Sequence, residues 1–258
     1  MSFITEGQTV ALITQLVFCI TLLYYISIGR KGGEMPNIRR VSGLDALDES
    51  IGRATEMGRP VHYSPGISGL DEAQTLASLA ILDYVARKTA HNNVPLIMSN
   101  RIVLVQALSE QIIRDAYAGE NRLDSFNPDN VRYLTDSQFG YATGVTGILR
   151  REKVATSILI GAFWAESLIF AQTGYEIGAI QIAGTANTHQ IPFFVAACDY
   201  CLIGDEMYAA SAYISREPVL VASLVVSDYF KMAGIAVLLV GLFFMLAGSS
   251  AIVDLIHT

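Results

Sequence analysis

The stretch CDYCLIGDE, Cys198–Glu206, combines two cysteines at C-x-x-C spacing with two adjacent carboxylates. Two cysteines at this spacing can form a redox-active disulfide or supply half of a zinc site, because thiolates exchange disulfides and bind soft metals. Asp205 and Glu206 are residues that can act as a general acid and base. Which of these chemistries is available depends on the elements that carry the residues.

The two cysteines are expected to be structural. A redox C-x-x-C follows a strand and opens a helix, whose positive end lowers the thiol pKa. Here Cys198 closes a predicted helix and Cys201 enters a predicted buried strand. A zinc site needs two further ligands, and the four histidines are scattered singly. We therefore expect buried, unreactive cysteines and neither a metal nor a cofactor.

Two uncharged segments account for much of the 52% hydrophobic fraction and the mean hydropathy of +0.42. Residues 9–28 (TVALITQLVFCITLLYYISI) and 232–253 (MAGIAVLLVGLFFMLAGSSAIV) are each long enough to cross a bilayer, which takes about 20 apolar residues. The first has no basic start and no small-residue cleavage site, so it is expected to remain as an anchor rather than a signal peptide.

The charges that flank the two spans predict their orientation. Basic residues follow the first span and precede the second: Arg30, Lys31, Arg39, Arg40 and Lys231. Because basic flanks stay inside, the middle of the chain is expected in the cytoplasm and both termini outside the cell membrane. That middle part holds all 17 Lys and Arg and all but two of the 24 Asp and Glu, so it is acidic and a poor binder of nucleic acid.

Between the spans, six short apolar runs alternate with helical stretches. The runs cover residues 60–66, 94–100, 131–137, 157–162, 179–185 and 200–206. The main helices between them are predicted over residues 71–90, 102–119, 137–152 and 163–174, with shorter ones from His189 and Asp205. This alternation predicts an α/β fold: a Rossmann-like three-layer domain with a mainly parallel sheet of about six strands.

The domain organisation follows from these elements. An amphipathic helix is predicted after Ser42 and is stopped by Gly58. We expect an anchor over residues 1–29, a basic segment with this helix over 30–59, the Rossmann-like domain over 60–217, and a C-terminal helix and anchor over 218–258.

In an open parallel sheet, ligands bind outside the carboxyl ends of the strands. The ligand-binding candidates are therefore the polar residues at those ends: Ser99, Asn100, Arg101, Asp136, Thr185, Asn187, His189, Gln190, Asp205 and Glu206. The polar stretch 185–190 is the best candidate for a small molecule, although each residue in it could also serve as a helix cap or turn. The glycine-rich loop at 64–72 does not match G-x-G-x-x-G, and its two acids would repel phosphate.

Glu166 is expected about one turn inside an apolar helix, FWAESLIF. A carboxylate there needs a partner or a raised pKa, so an acid–base role together with Asp205 is one interpretation. The other is a solvated glutamate that stabilises the helix start.

No P-loop, serine nucleophile elbow, zinc-protease or kinase motif is present. We therefore expect a non-catalytic scaffold or ligand-binding subunit of a membrane assembly, homo-oligomeric and able to accept other membrane subunits. The alternative is a membrane-bound hydrolase or transferase that acts on a nucleoside- or sugar-like molecule.

The segment IRRVSGLDALDESIGRATEMGRPVHYSPG, with an anchor before it and an α/β domain and second anchor after it, resembles an uncharacterised family of prokaryotic membrane proteins, a domain of unknown function. The resemblance implies a Rossmann-like cytoplasmic domain between two anchors. It implies no catalytic residues.

Overall fold

The structure is a computed structural model that describes residues 9–31 and 42–246. The chain divides into two compact units. One unit is the α/β domain of residues 39–215, and the other is formed by the two ends of the chain.

The α/β domain contains six strands. They are β1 (Val61–Gly66), β2 (Leu96–Asn100), β3 (Val131–Tyr133), β4 (Thr156–Ala162), β5 (Ile180–Thr185) and β6 (Tyr200–Ile203). Its helices are α2 (Ser42–Met57), α3 (Ala73–His91), α4 (Val103–Gly119), α5 (Gln138–Glu152), α6 (Glu166–Glu176), α7 (Ile191–Ala197) and α8 (Asp205–Ser215). The predicted elements are therefore present, with β3 and β6 shorter than expected.

The strand order is β3-β2-β1-β4-β5-β6, and every neighbouring pair is parallel. This is the strand order of a Rossmann-type sheet: β2 and β3 lie on one side of β1, and β4, β5 and β6 lie on the other. The predicted fold class is confirmed.

Helices cover both faces of the sheet and make two cores. Leu47 of α2 and Met207 of α8 belong to the core that also contains α3 and α4. Tyr141 of α5, Phe170 of α6 and Phe194 of α7 form the core on the opposite face. Because helices cover both faces, the strands β1, β2, β4 and β5 are buried along nearly their whole length, including polar residues such as His62 and Ser157.

The edge strand β6 differs from the prediction of a buried strand. Tyr200 and Ile203 are exposed, and only Leu202 is buried. An edge strand has a neighbour on one side only, so its ends lose the cover that the central strands receive.

Strands β1 and β4 approach each other unusually closely at their carboxyl ends. Gly66 has φ +90° and Gly161 has φ +142°, and the pairing register shifts between Ser64 and Gly66. A Cβ atom on Gly161 would lie 2.1 Å from the Pro65 carbonyl oxygen, and one on Gly66 would lie 2.3 Å from that of Ala162. These two positions therefore require glycine, both for the backbone angle and for the contact.

The terminal unit contains α1 (Thr9–Arg30) and α9 (Pro218–Leu246). The Phe18 and Phe230 rings meet edge-to-face with centroids 5.0 Å apart. Residues 11–30 and 218–243 are long and apolar enough to cross a membrane. The predicted second span begins at Met232 inside α9, and its residues 247–253 lie outside the described part of the chain.

Candidate functional site

Glu166 is the first residue of α6, so the prediction that it lies one turn inside the helix was wrong. The preceding residues turn before the helix starts, because the Glu166 carboxylate accepts a hydrogen bond from the Trp164 backbone N–H at 2.7 Å. The other carboxylate oxygen accepts from the Gln138 side-chain amide at 2.6 Å. The side chain is 0% exposed, so both oxygens face the protein and neither faces a crevice.

The polar stretch after β5 is also bonded to the protein itself. Gln74 of α3 accepts hydrogen bonds from the Thr185 hydroxyl at 3.1 Å and from the Ala186 backbone N–H at 2.8 Å. The Asn187 amide donates to the Phe163 carbonyl at 3.2 Å, which ties this loop to the one after β4.

The end of the stretch is held in the same way. The Ser167 hydroxyl donates to the Gln190 side-chain oxygen at 2.5 Å. His189 is exposed, and its backbone N–H donates to the Asn187 side chain at 3.3 Å. The candidate ligand-binding groups of residues 185–190 thus stabilise the loop that carries them.

Asn100 and Arg101, at the carboxyl end of β2, have separate roles: the first lies in the core, and the second joins two loops. Asn100 is fully buried, and its side-chain oxygen accepts from Ser109 at 3.3 Å, while its amide nitrogen has no partner among the described residues. Arg101 donates to the carbonyl oxygens of Asp136 and Ile67, both at 2.8 Å. The guanidinium therefore joins the loops after β1 and β3 through their backbones.

A buried polar network under α5 was not predicted. His62 Nε2 lies 3.0 Å from the Ser99 hydroxyl, and Nδ1 lies 3.4 Å from the Ser157 hydroxyl. The Tyr141 hydroxyl donates to the Ser99 carbonyl at 3.0 Å and contacts the Ser64 hydroxyl at 2.7 Å. The alternation of polar residues in β1, with His62 and Ser64 two apart, was the signal that they share one face.

This network joins strands rather than forming a catalytic pair. A serine hydroxyl beside a histidine nitrogen is the geometry of an activated nucleophile. However, His62 and Ser99 are both fully buried, so no substrate reaches them. Burial, followed by the charge of Arg132, lowers the pKa of His62 to about 3, which keeps the imidazole neutral.

The cysteines are half-buried, so the prediction that they are buried was wrong. The reason is the exposed edge position of β6, next to which Cys198 ends α7. Both side chains pack on the core that contains α5, α6 and α7, and the two thiols hydrogen-bond to each other. That bond raises the pKa of Cys198 and lowers the pKa of Cys201.

Asp205 and Glu206 open α8, on the opposite face of the sheet from Glu166. The Glu206 carboxylate accepts from the Ile203 backbone N–H at 3.2 Å, so it stabilises the turn before the helix. The structure therefore does not combine Glu166 and Asp205 in one acid–base site. Among residues 9–31 and 42–246, no group of three or more His, Cys, Asp or Glu could hold a metal ion.

Large apolar side chains are exposed at the same carboxyl edge. We call Phe139, Trp164, Leu168 and Phe193 the edge patch. They stand at the start of α5, before and at the start of α6, and at the start of α7. Phe139 is 67% exposed and Trp164 is 58% exposed.

The hydrogen bonds described above join the elements that carry the edge patch. The Gln138–Glu166 bond joins the starts of α5 and α6. The Ser167–Gln190 bond joins the starts of α6 and α7. The polar residues expected to bind a ligand thus hold an apolar surface in place.

Comparison with curated proteins and with solved structures gave no match. A family model covers residues 1–256, which is nearly the entire chain. The chain therefore belongs to the family described as a domain of unknown function, DUF6754.

Proposed function

We propose that this chain is a two-pass protein of a prokaryotic cell membrane whose cytoplasmic α/β domain is a non-catalytic subunit of a homo-oligomeric assembly. In this proposal the edge patch of one copy packs on the amino-terminal edge of the sheet in the next copy. The two long apolar helices and their basic flanks support the membrane position.

The observation that carries the proposal is the edge patch itself. Phe139 and Trp164 are each more than half exposed although the hydrogen bonds of Glu166 fix the loops that carry them. Single exposed apolar residues are ordinary, but soluble surfaces rarely group several large ones unless they bind something. A rigid apolar surface is suited to protein contact, because little conformational entropy is lost on binding.

The charges around the edge patch favour a second copy in a head-to-tail arrangement. The carboxyl edge exposes mainly acids, namely Asp71, Asp136, Asp205 and Glu206. Such an edge repels an anionic membrane surface and also the same edge of another copy.

The opposite edge of the sheet exposes basic residues that can pair with these acids, beside acids of its own such as Asp124 and Asp129. Arg122, Arg151 and Lys153 are exposed where α4 and α5 end, which is the amino-terminal edge of the sheet. A contact between these unlike edges is heterologous, so it produces a closed ring or a chain of copies. Anchoring in one membrane raises the local concentration of copies and favours such a weak contact.

The hydrolase or transferase alternative has no comparable support. Glu166 is fully buried with both oxygens bonded, and Asp205 lies on the other face of the sheet.

The proposal is tested by a photo-cross-linking amino acid placed at Trp164 in the full chain in native membranes. We expect a cross-linked dimer whose second attachment maps to residues 122 or 150–153 of another copy. The matched control is the same amino acid at Leu108, which is 37% exposed on α4, on the opposite face of the sheet from α5, α6 and α7. A cross-link to a different protein would mean a hetero-oligomer, and labelling no stronger than at Leu108 would contradict the proposal.

A second readout is the mass of the detergent-solubilised particle. Replacing Phe139 and Trp164 together by serine should convert an oligomer to a monomer, whereas Leu108→Ser should leave its mass unchanged. Light scattering coupled to size-exclusion chromatography measures both.

A further inference from the structure

A cavity of about 320 Å³ opens at the amino-terminal edge of the sheet, beside β2 and β3. Its walls come from the end of α3, from α4 and from the segment before β3. It lies at the other end of the strands from the candidate residues of the sequence. Its volume is at the lower limit of the range in which proteins bind small molecules, roughly 300–1,000 Å³.

The floor of the cavity is made of buried hydroxyl and aromatic groups. Thr89 of α3 is fully buried and Tyr117 of α4 is nearly so. The Tyr117 hydroxyl hydrogen-bonds with Thr89 and the Leu96 backbone, and burial raises the pKa of Tyr117, so the phenol stays neutral. The Tyr117 and Phe126 rings meet edge-to-face with centroids 5.9 Å apart, which gives the floor a fixed shape.

The rim of the cavity carries three asparagines: Asn93, Asn127 and Asn130. Asn93 is held in the left-handed region at φ +55°. The Asn127 side-chain oxygen accepts from the Asp129 backbone N–H at 3.0 Å, which orients its amide. Amides both donate and accept, so they recognise ligands that carry hydroxyl, carbonyl or ring-nitrogen groups.

The lining also limits the charge of the ligand. Among the described residues that line this cavity, none is Asp, Glu, Lys or Arg. A phosphate or carboxylate is normally held by charged donors or by the start of a helix. Here α3 lines the cavity with its last turn and α4 with its second half, so neither helix start contributes. An ionic ligand entering this cavity would lose hydration without a matching partner.

We infer that this cavity binds a small uncharged ring compound with several hydrogen-bonding groups, of the class of unphosphorylated nucleosides and sugars. The aromatic floor contacts the ring, and the three rim amides bond to its polar edge. No residue of the edge patch lines this cavity, although the cavity opens at the amino-terminal edge that receives the patch of another copy in the proposed assembly.

The test uses the full chain in detergent and isothermal titration with matched pairs of probes. The neutral probes are adenosine, uridine and glucose, and their charged counterparts are AMP, UMP and glucose 6-phosphate. We expect at least one neutral probe to bind and its phosphorylated counterpart to bind at least tenfold more weakly. Binding of a nucleoside but not glucose, or the reverse, identifies which ring is recognised.

Two glycine substitutions link the binding to the cavity. Asn93→Gly removes an amide from the rim while keeping a residue that favours positive φ. Asn121→Gly is the matched control, because Asn121 has φ +56° but does not line the cavity. We expect Asn93→Gly to weaken binding roughly two- to tenfold, the equivalent of one neutral hydrogen bond, and Asn121→Gly to have no effect.

Three results would overturn the inference. The first is that no neutral probe releases or absorbs heat at concentrations up to about 10 mM. The second is that a phosphorylated probe binds as tightly as its neutral counterpart or more tightly. The third is that Asn93→Gly and Asn121→Gly change the binding equally. Since none of these readouts involves oligomer mass or cross-linking, they leave the proposed assembly function to its own test.

Discussion

Replacing Glu166 by alanine tests whether the carboxyl edge is built for structure. The substitution removes the acceptor of two hydrogen bonds, from the Trp164 backbone N–H and from the Gln138 amide. A hydrogen bond to a charged group contributes about 1.5–3 kcal/mol, so the loss of both should cost about 3–6 kcal/mol of the free energy of unfolding. For a domain of this size, that corresponds to a fall in melting temperature of roughly 6–24 °C.

Two further variants separate this role from the general effect of changing a glutamate in α6. Glu166→Gln keeps an acceptor for Trp164, and the Gln138 amide can turn to face the new side chain, so we expect a loss of only about 1 kcal/mol. Glu176→Ala is the matched control at the other end of the helix. Its side chain is 43% exposed and paired with Arg150, so the loss should be about 1 kcal/mol or less.

The assay is thermal and urea unfolding of the detergent-solubilised chain, followed by circular dichroism and by tryptophan fluorescence. Trp164 is the only tryptophan, so its emission reports on the loop that Glu166 holds. If Glu166→Ala destabilises the protein no more than Glu176→Ala, the carboxylate is not a structural acceptor. A catalytic or ligand-binding role for Glu166 would then be the better interpretation.

Two other predictions concern the buried histidine and the cysteine pair. The folded pKa of His62 is about 3 against an ordinary value of 6.5, so between these pH values the unfolded state binds a proton that the folded state does not. The free energy of unfolding should therefore fall by about 1.4 kcal/mol per pH unit as pH drops from 6.5 towards 3. In urea unfolding, His62→Gln should reduce this slope and His91→Gln should not. Cys201, whose lowered pKa makes it the better nucleophile, should form a disulfide with Cys198 when diamide accepts the two electrons and two protons released. Mass spectrometry should detect the loss of two hydrogen atoms from the peptide that contains both cysteines, and Cys198→Ser should abolish it. An unchanged mass of that peptide after diamide treatment would contradict the assignment.

The fold could be predicted from the sequence because its signals are local. Each of the apolar runs that became β1, β2 and β4 is bounded by polar or glycine residues, and each is followed by a helix of adequate length. Because a helix returns the chain between successive strands, these strands are expected to be parallel and their connections right-handed. The strand β6 was the exception, since a run of apolar residues does not reveal whether it lies at the centre or at the edge of a sheet.

The site could be predicted only in part, because side-chain partners are distant in sequence. The candidates Thr185 and Glu166 do lie at the carboxyl edge, as the fold requires. Their partners Gln74 and Gln138 come from other crossovers, 111 and 28 residues away. No local pattern indicates that such pairs meet, so the sequence cannot distinguish a polar group that awaits a ligand from one already bonded.

At the carboxyl edge of this sheet, polar groups that could have bound a ligand are already hydrogen-bonded within the protein. In a dinucleotide-binding sheet, the carboxyl edge binds ligands because glycine-rich loops leave backbone N–H groups and a helix start open to phosphate. Here Glu166 and Gln74 accept hydrogen bonds from backbone N–H groups of the loops after β4 and β5, and Arg101 donates to carbonyl groups of the loops after β1 and β3. Acids stand at the start of α8 and before α3. The loops of this edge are therefore held by internal hydrogen bonds, and the edge exposes acids together with the large apolar side chains of Phe139 and Trp164. The amino edge is better suited to a small neutral molecule, because the cavity there is lined by three asparagine side chains. In the two proposals, the edge patch at the carboxyl edge serves assembly, and the amino edge carries both the cavity and the surface that receives the patch of another copy.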